Sequence, residues 1–211
     1  CATRPDIGEA IGVLARKMKN PTERDLTRAK RVLRYLKKTP DRGLVFTSNA
    51  EKPGVIEVFA DADYAGDCET LKSTSGWLVM KNGAAINWSS KLQTIIALST
   101  TEAEIMAVSS AAQEVAYLIR WYADIGEPIN EPVIIYNDNS GAINLAYNPV
   151  FHGRTKHLGV KQLYVRELIK EDKVAVQYCP TRWMVADALT KPMTKKQHYK
   201  LCNIMQGVCI R

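Results

Sequence analysis

The chain has 211 residues, 46% of them hydrophobic, which is enough to bury one main core with a small appendage beside it. Lysine and arginine outnumber aspartate and glutamate by 29 to 22, and the resulting net charge of +7 suits either an anionic partner such as nucleic acid or merely a solvated basic surface. Five scattered cysteines without a CxxC pair argue against a disulfide framework or zinc site, and the absence of a long apolar run or signal peptide predicts a soluble, intracellular protein.

Two amphipathic helices are predicted near the start of the chain. The first covers residues 6–19, and the second begins after Pro21, with Thr22 as N-cap and Asp25 completing a capping box. A polar segment follows, so we place a domain boundary between residues 1–50 and 51–211. The residues expected on the buried faces are Ile7, Ile11, Leu14 and Met18 in the first helix and Leu26, Ala29, Leu33 and Leu36 in the second.

From Val55 the pattern becomes typical of β-strands. Val55–Phe59 and Gly76–Met80 are predicted as strands. Asn82-Gly83 favours a tight hairpin turn, so Ala85–Ser89 should return antiparallel to the second strand.

Helices and strands alternate in the rest of the chain. A long helix is predicted over Ser99–Gly126, followed by a central strand at Val133–Tyr136 that is apolar on both faces. The remaining predicted elements are helices near 140–147 and 158–171, a strand at Val174–Cys179 and a final helix over roughly 183–206. The order predicts an α/β protein whose mixed sheet has three antiparallel strands, then parallel strands, with flanking helices.

Four acidic residues stand out by their positions on these elements. Asp61 follows the first strand, Glu104 lies in the first turns of the long helix, Asp138 follows the central strand and Asp187 lies inside the final helix. If the two strands are neighbours, their carboxylates emerge at one edge of the sheet. Clustered carboxylates select Mg²⁺ or Mn²⁺ over zinc. Singly, each acid has a plainer interpretation, as a turn former, a helix N-terminal residue or a surface acid.

A series of motifs resembles the ribonuclease H domain of copia-type LTR retrotransposon polyproteins. The motifs are Phe59–Asp67, Lys72–Gly76, Leu98–Glu104, Tyr136–Ser140, Arg154–His157 and Ala186–Pro192. Residues 1–46 are similar to the last helices of the reverse transcriptase that precedes this domain, which makes 1–50 a reverse transcriptase tail and 51–211 the ribonuclease H domain. The resemblance implies a ribonuclease H-like five-stranded fold with a small N-terminal helical appendage.

The resemblance also implies an activity and a site. The activity is two-metal-ion hydrolysis of the RNA strand of an RNA/DNA hybrid during reverse transcription. The metal ligands and catalytic residues would be Asp61, Glu104, Asp138 and Asp187, holding two Mg²⁺ ions that Mn²⁺ can replace. The motifs favour Asp61 over Asp63, and Glu104 over Glu102, which we interpret as a capping or solvated residue. The implied partners are the hybrid and the reverse transcriptase of the same polyprotein, in a cytoplasmic retrotransposon particle or the nucleus.

Further residues are candidates for a supporting role. His157 is a catalytic candidate for leaving-group protonation or product release, or it simply begins a helix. Trp88 either stacks on a sugar or belongs to the core. The nucleic-acid-binding candidates, whose alternative roles are helix caps and turns, are Ser73, Thr74, Ser90, Lys91, Ser99, Thr100, Asn139, Ser140, Arg154 and Lys156.

Two other functions stay open from the sequence. One is a related polynucleotidyl transferase, such as an integrase or transposase core, in which the glutamate comes from a late helix instead of from a position like that of Glu104. The other is a non-catalytic or domesticated module that binds the hybrid or braces the polymerase. Cleavage of a hybrid compared with a DNA duplex separates these functions.

Overall fold

The structure, a computed structural model, describes residues 3–47, 54–148 and 156–208, with the backbone alone described for 156–158. Its α-helices are α1 (Gly8–Arg16), α2 (Glu23–Lys38), α3 (Thr100–Asp124), α4 (Ser140–Tyr147), α5 (Lys156–Lys170) and α6 (Lys195–Gln206). Its strands are β1 (Ile56–Asp63), β2 (Thr74–Lys81), β3 (Ala84–Leu92), β4 (Val133–Asn137) and β5 (Val174–Tyr178). Short 3₁₀ helices cover Pro5–Ile7, Thr181–Trp183 and Val185–Leu189.

The five strands form one mixed sheet in the order β3-β2-β1-β4-β5. The pairs β1–β2 and β2–β3 are antiparallel, whereas β1–β4 and β4–β5 are parallel. The predicted fold class is therefore confirmed. The predicted turn between β2 and β3 is also present, because Asn82 and Gly83 have φ angles of 51° and 83°, as a type I′ hairpin turn requires.

Helices cover both faces of the sheet. Trp77 and Val79 of β2 pack in a cluster with residues of α3, while the alternate residues Leu78 and Met80 pack in a second cluster on the opposite face. The second cluster includes Leu189 and residues of α6. Strand β2 is buried on both faces, and the 3₁₀ helix Val185–Leu189 packs against one of them.

Two differences from the predicted bounds change where residues of the predicted site lie. The final helix predicted over 183–206 is wrong: two 3₁₀ helices precede α6, which begins only at Lys195. Pro192 interrupts the helical pattern, since it lacks an N–H and its ring clashes with the preceding turn. Strand β1 continues four residues past the predicted end, because Asp63 still pairs with Thr74 of β2. Asp61 therefore lies within β1, and Asp187 lies on a 3₁₀ helix.

The N-terminal helices form, but their predicted buried faces are only partly covered. The half-buried residues are Ile7, Leu14, Ala29 and Leu36, and the exposed ones are Ile11, Met18, Leu26 and Leu33. Thr22 and Asp25 make the predicted capping box of α2. Leu33 and Met18 are 64% and 78% exposed, and no residue of α1 is buried. A polar contact joins the segment after α2 to α6, where Arg42 donates to Asn203 over 2.6 Å. The predicted domain boundary lies outside the described residues and stays a prediction.

Among the residues that the structure describes, no helix has both the length and the apolar character required to cross a bilayer.

Gly76 makes the close approach of the 3₁₀ helix possible. It pairs with Asp61 across β1–β2, and a Cβ atom placed on it would lie 2.6 Å from Thr190 Cγ2 and 3.0 Å from Leu189 Cβ. We predict that Gly76→Ala lowers the free energy of unfolding by about 1–3 kcal/mol, because overpacking pushes the Asp187 segment off the sheet. Urea unfolding measures this. Gly43→Ala is the control, since no atom of the described residues lies within 4 Å of a Cβ there, and an equal effect of the two changes would contradict the prediction.

Candidate metal centre

The structure brings three of the predicted acids together. Carboxylate oxygens of Asp61, Glu104 and Asp138 all lie within 4.8 Å of one another. Strands β1 and β4 are parallel neighbours as far as the pair Phe59 and Tyr136, so Asp61 and Asp138 both follow the last paired residues at one edge of the sheet. Glu104 reaches the same edge from α3, which packs on β1. We call Asp61, Glu104 and Asp138 the three-acid cluster.

Neutral side chains orient each acid of the three-acid cluster. The buried Asn137 amide donates to Glu104 Oε2 over 2.9 Å and to the carbonyl oxygen of Ala60 over 2.8 Å, which links α3, β1 and β4. Thr190 Oγ1 donates to Asp61 Oδ2 over 2.5 Å, and Thr181 Oγ1 donates to Asp138 Oδ2 over 2.6 Å. Sequence reasoning missed these three donors, although Asn137 and Thr190 lie within the quoted motifs.

Asp187 is held differently from the other three acids. It is buried on the 3₁₀ helix, and its Oδ1 forms a 3.0 Å ion pair with Lys191 Nζ. Lys191 Nζ is also 3.8 Å from Asp61 Oδ2. Asp187 therefore joins the three-acid cluster through Asp61 and Lys191, and it is not one of the residues whose oxygens meet within 4.8 Å.

Burial and like charges raise the pKa of two of these acids. Burial, followed by the nearby Asp61 and Asp138, raises the pKa of Glu104 to about 8, although the Asn137 hydrogen bond opposes this. Burial and then Asp61 raise the pKa of Asp187 to about 7, against the effect of Lys191. The protein thus supplies too little positive charge for all four carboxylates. A site of hard oxygen donors with unbalanced negative charge fits Mg²⁺ or Mn²⁺.

The alternative acids have other roles. Glu102 accepts a hydrogen bond from the Leu98 N–H over 2.7 Å while Ser99 accepts one from the Glu102 N–H, so both side chains cap α3. Asp63 is half-buried and does not belong to the three-acid cluster. Burial raises the pKa of the Asp63 carboxyl, as does Asp61, against Lys191.

The predicted nucleic-acid-binding residues divide into buried, capping and exposed groups. Ser73 and Thr74 are buried, and Ser73 Oγ accepts a hydrogen bond from the Ala65 N–H, so the structure does not offer these side chains to phosphate. Asn139 caps α4 through the Ala142 N–H, as Ser99 caps α3. Lys91, Thr100 and Ser140 are exposed, and Ser90 is half-buried with its carbonyl and hydroxyl oxygens facing Gly12 of α1.

Three further candidates fall at residues 154–157 of the chain. Lys156 and His157 lie in the first turn of α5, but their side chains fall outside the described residues, as does all of Arg154. Their roles stay predictions. Trp88 is partly buried against the cluster that contains Leu78 and Leu189, so the interpretation as a core residue is the one that its packing supports.

Comparison with known proteins identifies the family. The Pol polyprotein from transposon TNT 1-94 of Nicotiana tabacum is 36% identical over 206 residues, which is 98% of this chain and 15% of that protein. The Pol polyprotein from transposon RE1 of Arabidopsis thaliana is 36% identical over 193 residues, 92% of this chain and 13% of that protein. The chain belongs to the family of copia-type retrotransposon Pol polyproteins. It spans less than a sixth of the length of these two relatives.

The chain was also compared with protein-family models and with solved structures. No protein-family model matches it. Among solved structures, RNase H1 from Halobacterium salinarum aligns at a TM-score of 0.44 and 19% identity, over 65% of this chain and 95% of that one.

The raised pKa values predict how stability depends on pH. Between pH 4.5, the ordinary pKa of glutamate, and about 8, the folded protein keeps a proton on Glu104 that the unfolded chain loses. We therefore expect the free energy of unfolding in EDTA to fall as the pH rises through this range. Stabilisation by added Mg²⁺ should grow over the same range, because the metal binds the ionised carboxylates.

Thermal unfolding followed by circular dichroism measures both effects. Glu104→Gln should reduce the slope of the pH dependence in EDTA, because it removes one of the two groups with a raised pKa and leaves Asp187. Stability in EDTA that rises steadily from pH 5 to pH 8, or an unchanged slope in the variant, would contradict the assignment.

Proposed function

We propose that this chain carries a ribonuclease H-type endonuclease that hydrolyses the RNA strand of an RNA/DNA hybrid during retrotransposon reverse transcription. The observation that carries the proposal is the convergence of the Asp61, Glu104 and Asp138 oxygens within 4.8 Å at one edge of the sheet. Homology to copia-type Pol polyproteins supports a role in copying a retrotransposon. The reverse transcriptase of the same polyprotein is then the expected partner, in a cytoplasmic particle or the nucleus.

Each acid has a distinct place in the proposed site. Asp61 belongs to the three-acid cluster and also lies beside Lys191, the partner of Asp187. It would therefore be the ligand that the two cations share. Glu104 and Asp138 would complete one cation site and Asp187 the other. Bound there, two Mg²⁺ or Mn²⁺ ions would activate a water molecule and stabilise the leaving 3′-oxygen. Asn137, Thr181 and Thr190 would keep the carboxylates oriented before substrate arrives.

The surface near the site suits a nucleic acid with a 2′-hydroxyl group. Thr100 and Ser140 begin the two helices that flank the three-acid cluster, and both are exposed. Short hydroxyl side chains of this kind can bond to the 2′-hydroxyl that distinguishes RNA from DNA. The net charge of +7 favours binding to the phosphate backbone. The exposed Lys91 at the end of β3 and the residues Arg154 and Lys156 would add phosphate contacts.

The position of Glu104 favours this function over that of an integrase or transposase. Glu104 lies on α3, between β1 and β4 along the chain, whereas integrase cores take their glutamate from a late helix. The proposal also distinguishes the chain from a module that only binds the hybrid, because all four acids are buried or half-buried at one place. An inactive binding module would have no need of that arrangement.

Removal of single carboxylates tests the proposal. We expect Asp61→Asn and Asp138→Asn each to reduce Mg²⁺-dependent cleavage of a labelled RNA/DNA hybrid by at least about a hundredfold, as loss of charge stabilisation in other active sites does. Both variants should still bind the hybrid in EDTA. Their melting temperatures in EDTA should not fall, because each variant relieves repulsion within the acid cluster.

Asp172→Asn is the matched control. Asp172 is exposed in a turn with a φ of 55°, which asparagine tolerates, so this variant removes one carboxylate without touching the site. Full cleavage activity of either Asp61→Asn or Asp138→Asn would remove that residue from the site. Wild-type protein that binds the hybrid but does not cut it in Mg²⁺ or Mn²⁺ would contradict the proposed function.

A further inference from the structure

Lys191 lies between two of the acids that the proposed function assigns to metal. It is four residues after Asp187, and its Nζ is 3.0 Å from Asp187 Oδ1 and 3.8 Å from Asp61 Oδ2. The side chains of Asp61 and Asp187 are only 2% and 8% exposed, whereas that of Lys191 is 36% exposed. Within the described part of the chain, Lys191 is the one cationic residue that forms a salt bridge with any of the four acids, and it pairs with two of them, Asp61 and Asp187.

The two halves of the site are therefore neutralised differently. Asp61 and Asp187 have an ammonium group beside them, and removal of one partner from a buried ion pair leaves the other charge uncompensated. Glu104 and Asp138 receive hydrogen bonds from the neutral donors Asn137 and Thr181. Neutral donors orient a carboxylate but do not cancel its charge, so this half has the greater unmet need for a cation.

We propose that Lys191 is a built-in counter-cation for Asp61 and Asp187, and that a divalent ion shared by these two acids must displace its ammonium group. This inference rests on the proposed metal site and adds an order of occupation to it. The first ion binds the three-acid cluster, where Lys191 contacts Asp61 alone and where Glu104 and Asp138 have no ion pair with a described lysine or arginine. The second ion binds more weakly, because part of its binding free energy offsets the loss of the Lys191 contacts with Asp61 and Asp187.

Lys191 is suited to leave without disturbing the rest of the site. Its side chain has a flexible four-carbon stem and already reaches solvent, so the ammonium group can move into water. Asp61 would keep its hydrogen bond from Thr190, which does not involve Lys191. Burial lowers the pKa of Lys191, but Asp61 and Asp187 outweigh this and raise it overall, so the group stays charged.

The first measurement needs no metal. Melting temperatures in EDTA at pH 8 are compared for the whole chain, Lys191→Gln, Lys191→Arg and the control Lys196→Gln, which removes one positive charge from an exposed position on α6. We expect Lys191→Gln to melt about 3 °C or more below the wild type, Lys191→Arg to recover most of this, and Lys196→Gln to match the wild type. Equal melting of the two glutamine variants would overturn the counter-cation role.

The second measurement is a calorimetric titration with Mn²⁺ in the absence of nucleic acid. We expect two unequal sites in the wild type, and a second site that tightens by roughly tenfold in Lys191→Gln, because the competing ammonium group is gone. A lysine with a merely structural role would weaken binding when lost. A second site that weakens or stays unchanged in Lys191→Gln would overturn the displacement.

The two measurements also separate this inference from the proposed function. A wild type that binds no Mn²⁺ overturns both the metal site and the displacement, whereas the EDTA comparison still decides whether Lys191 neutralises Asp61 and Asp187. Two bound ions without hybrid cleavage would overturn the proposed function alone.

Discussion

Repulsion among buried carboxylates is the interaction around which this part of the protein is organised. Asp61, Glu104 and Asp138 are held within 4.8 Å of one another, and burial, followed by repulsion from Asp61 and Asp138, raises the pKa of Glu104 to about 8. Such a cluster is unfavourable without cations, so the fold must hold it in place by other means. Asn137, with bonds to both Glu104 and the backbone of β1, does so from within the sheet.

The segment after β5 completes the site because its helix is interrupted. In a continuous helix through Pro192, helical spacing alone would decide the directions in which Asp187, Thr190 and Lys191 point. The 3₁₀ helix instead lies on β2 at Gly76, where a Cβ would meet Thr190, and so brings Thr190 within 2.5 Å of Asp61. One short segment thereby supplies an acid, a hydroxyl donor and a cation to the same place.

The sequence was sufficient to predict the sheet but not all the contacts of the site. Period-two alternation and Asn82-Gly83 predict the hairpin, because register and turn chemistry are local. The continuation of β1 to Asp63 was not predicted. Polar residues occur in this part of the strand, and their pairing with β2 is visible only in the fold. The buried face predicted for Leu33 was wrong, because periodicity indicates an apolar face but not what covers it. Lys191 lies in a motif, yet its partners are 4 and 130 residues away.

Both the proposed nuclease function and the proposed order of metal binding require that these acids form a pair of divalent cation sites. Anomalous diffraction from crystals of the chain grown with Mn²⁺ tests it directly. We expect one strong peak among Asp61, Glu104 and Asp138, and a second, weaker peak between Asp61 and Asp187 with Lys191 turned toward solvent. Mn²⁺ bound only elsewhere on the protein, with the three-acid cluster empty at saturating Mn²⁺, would contradict it.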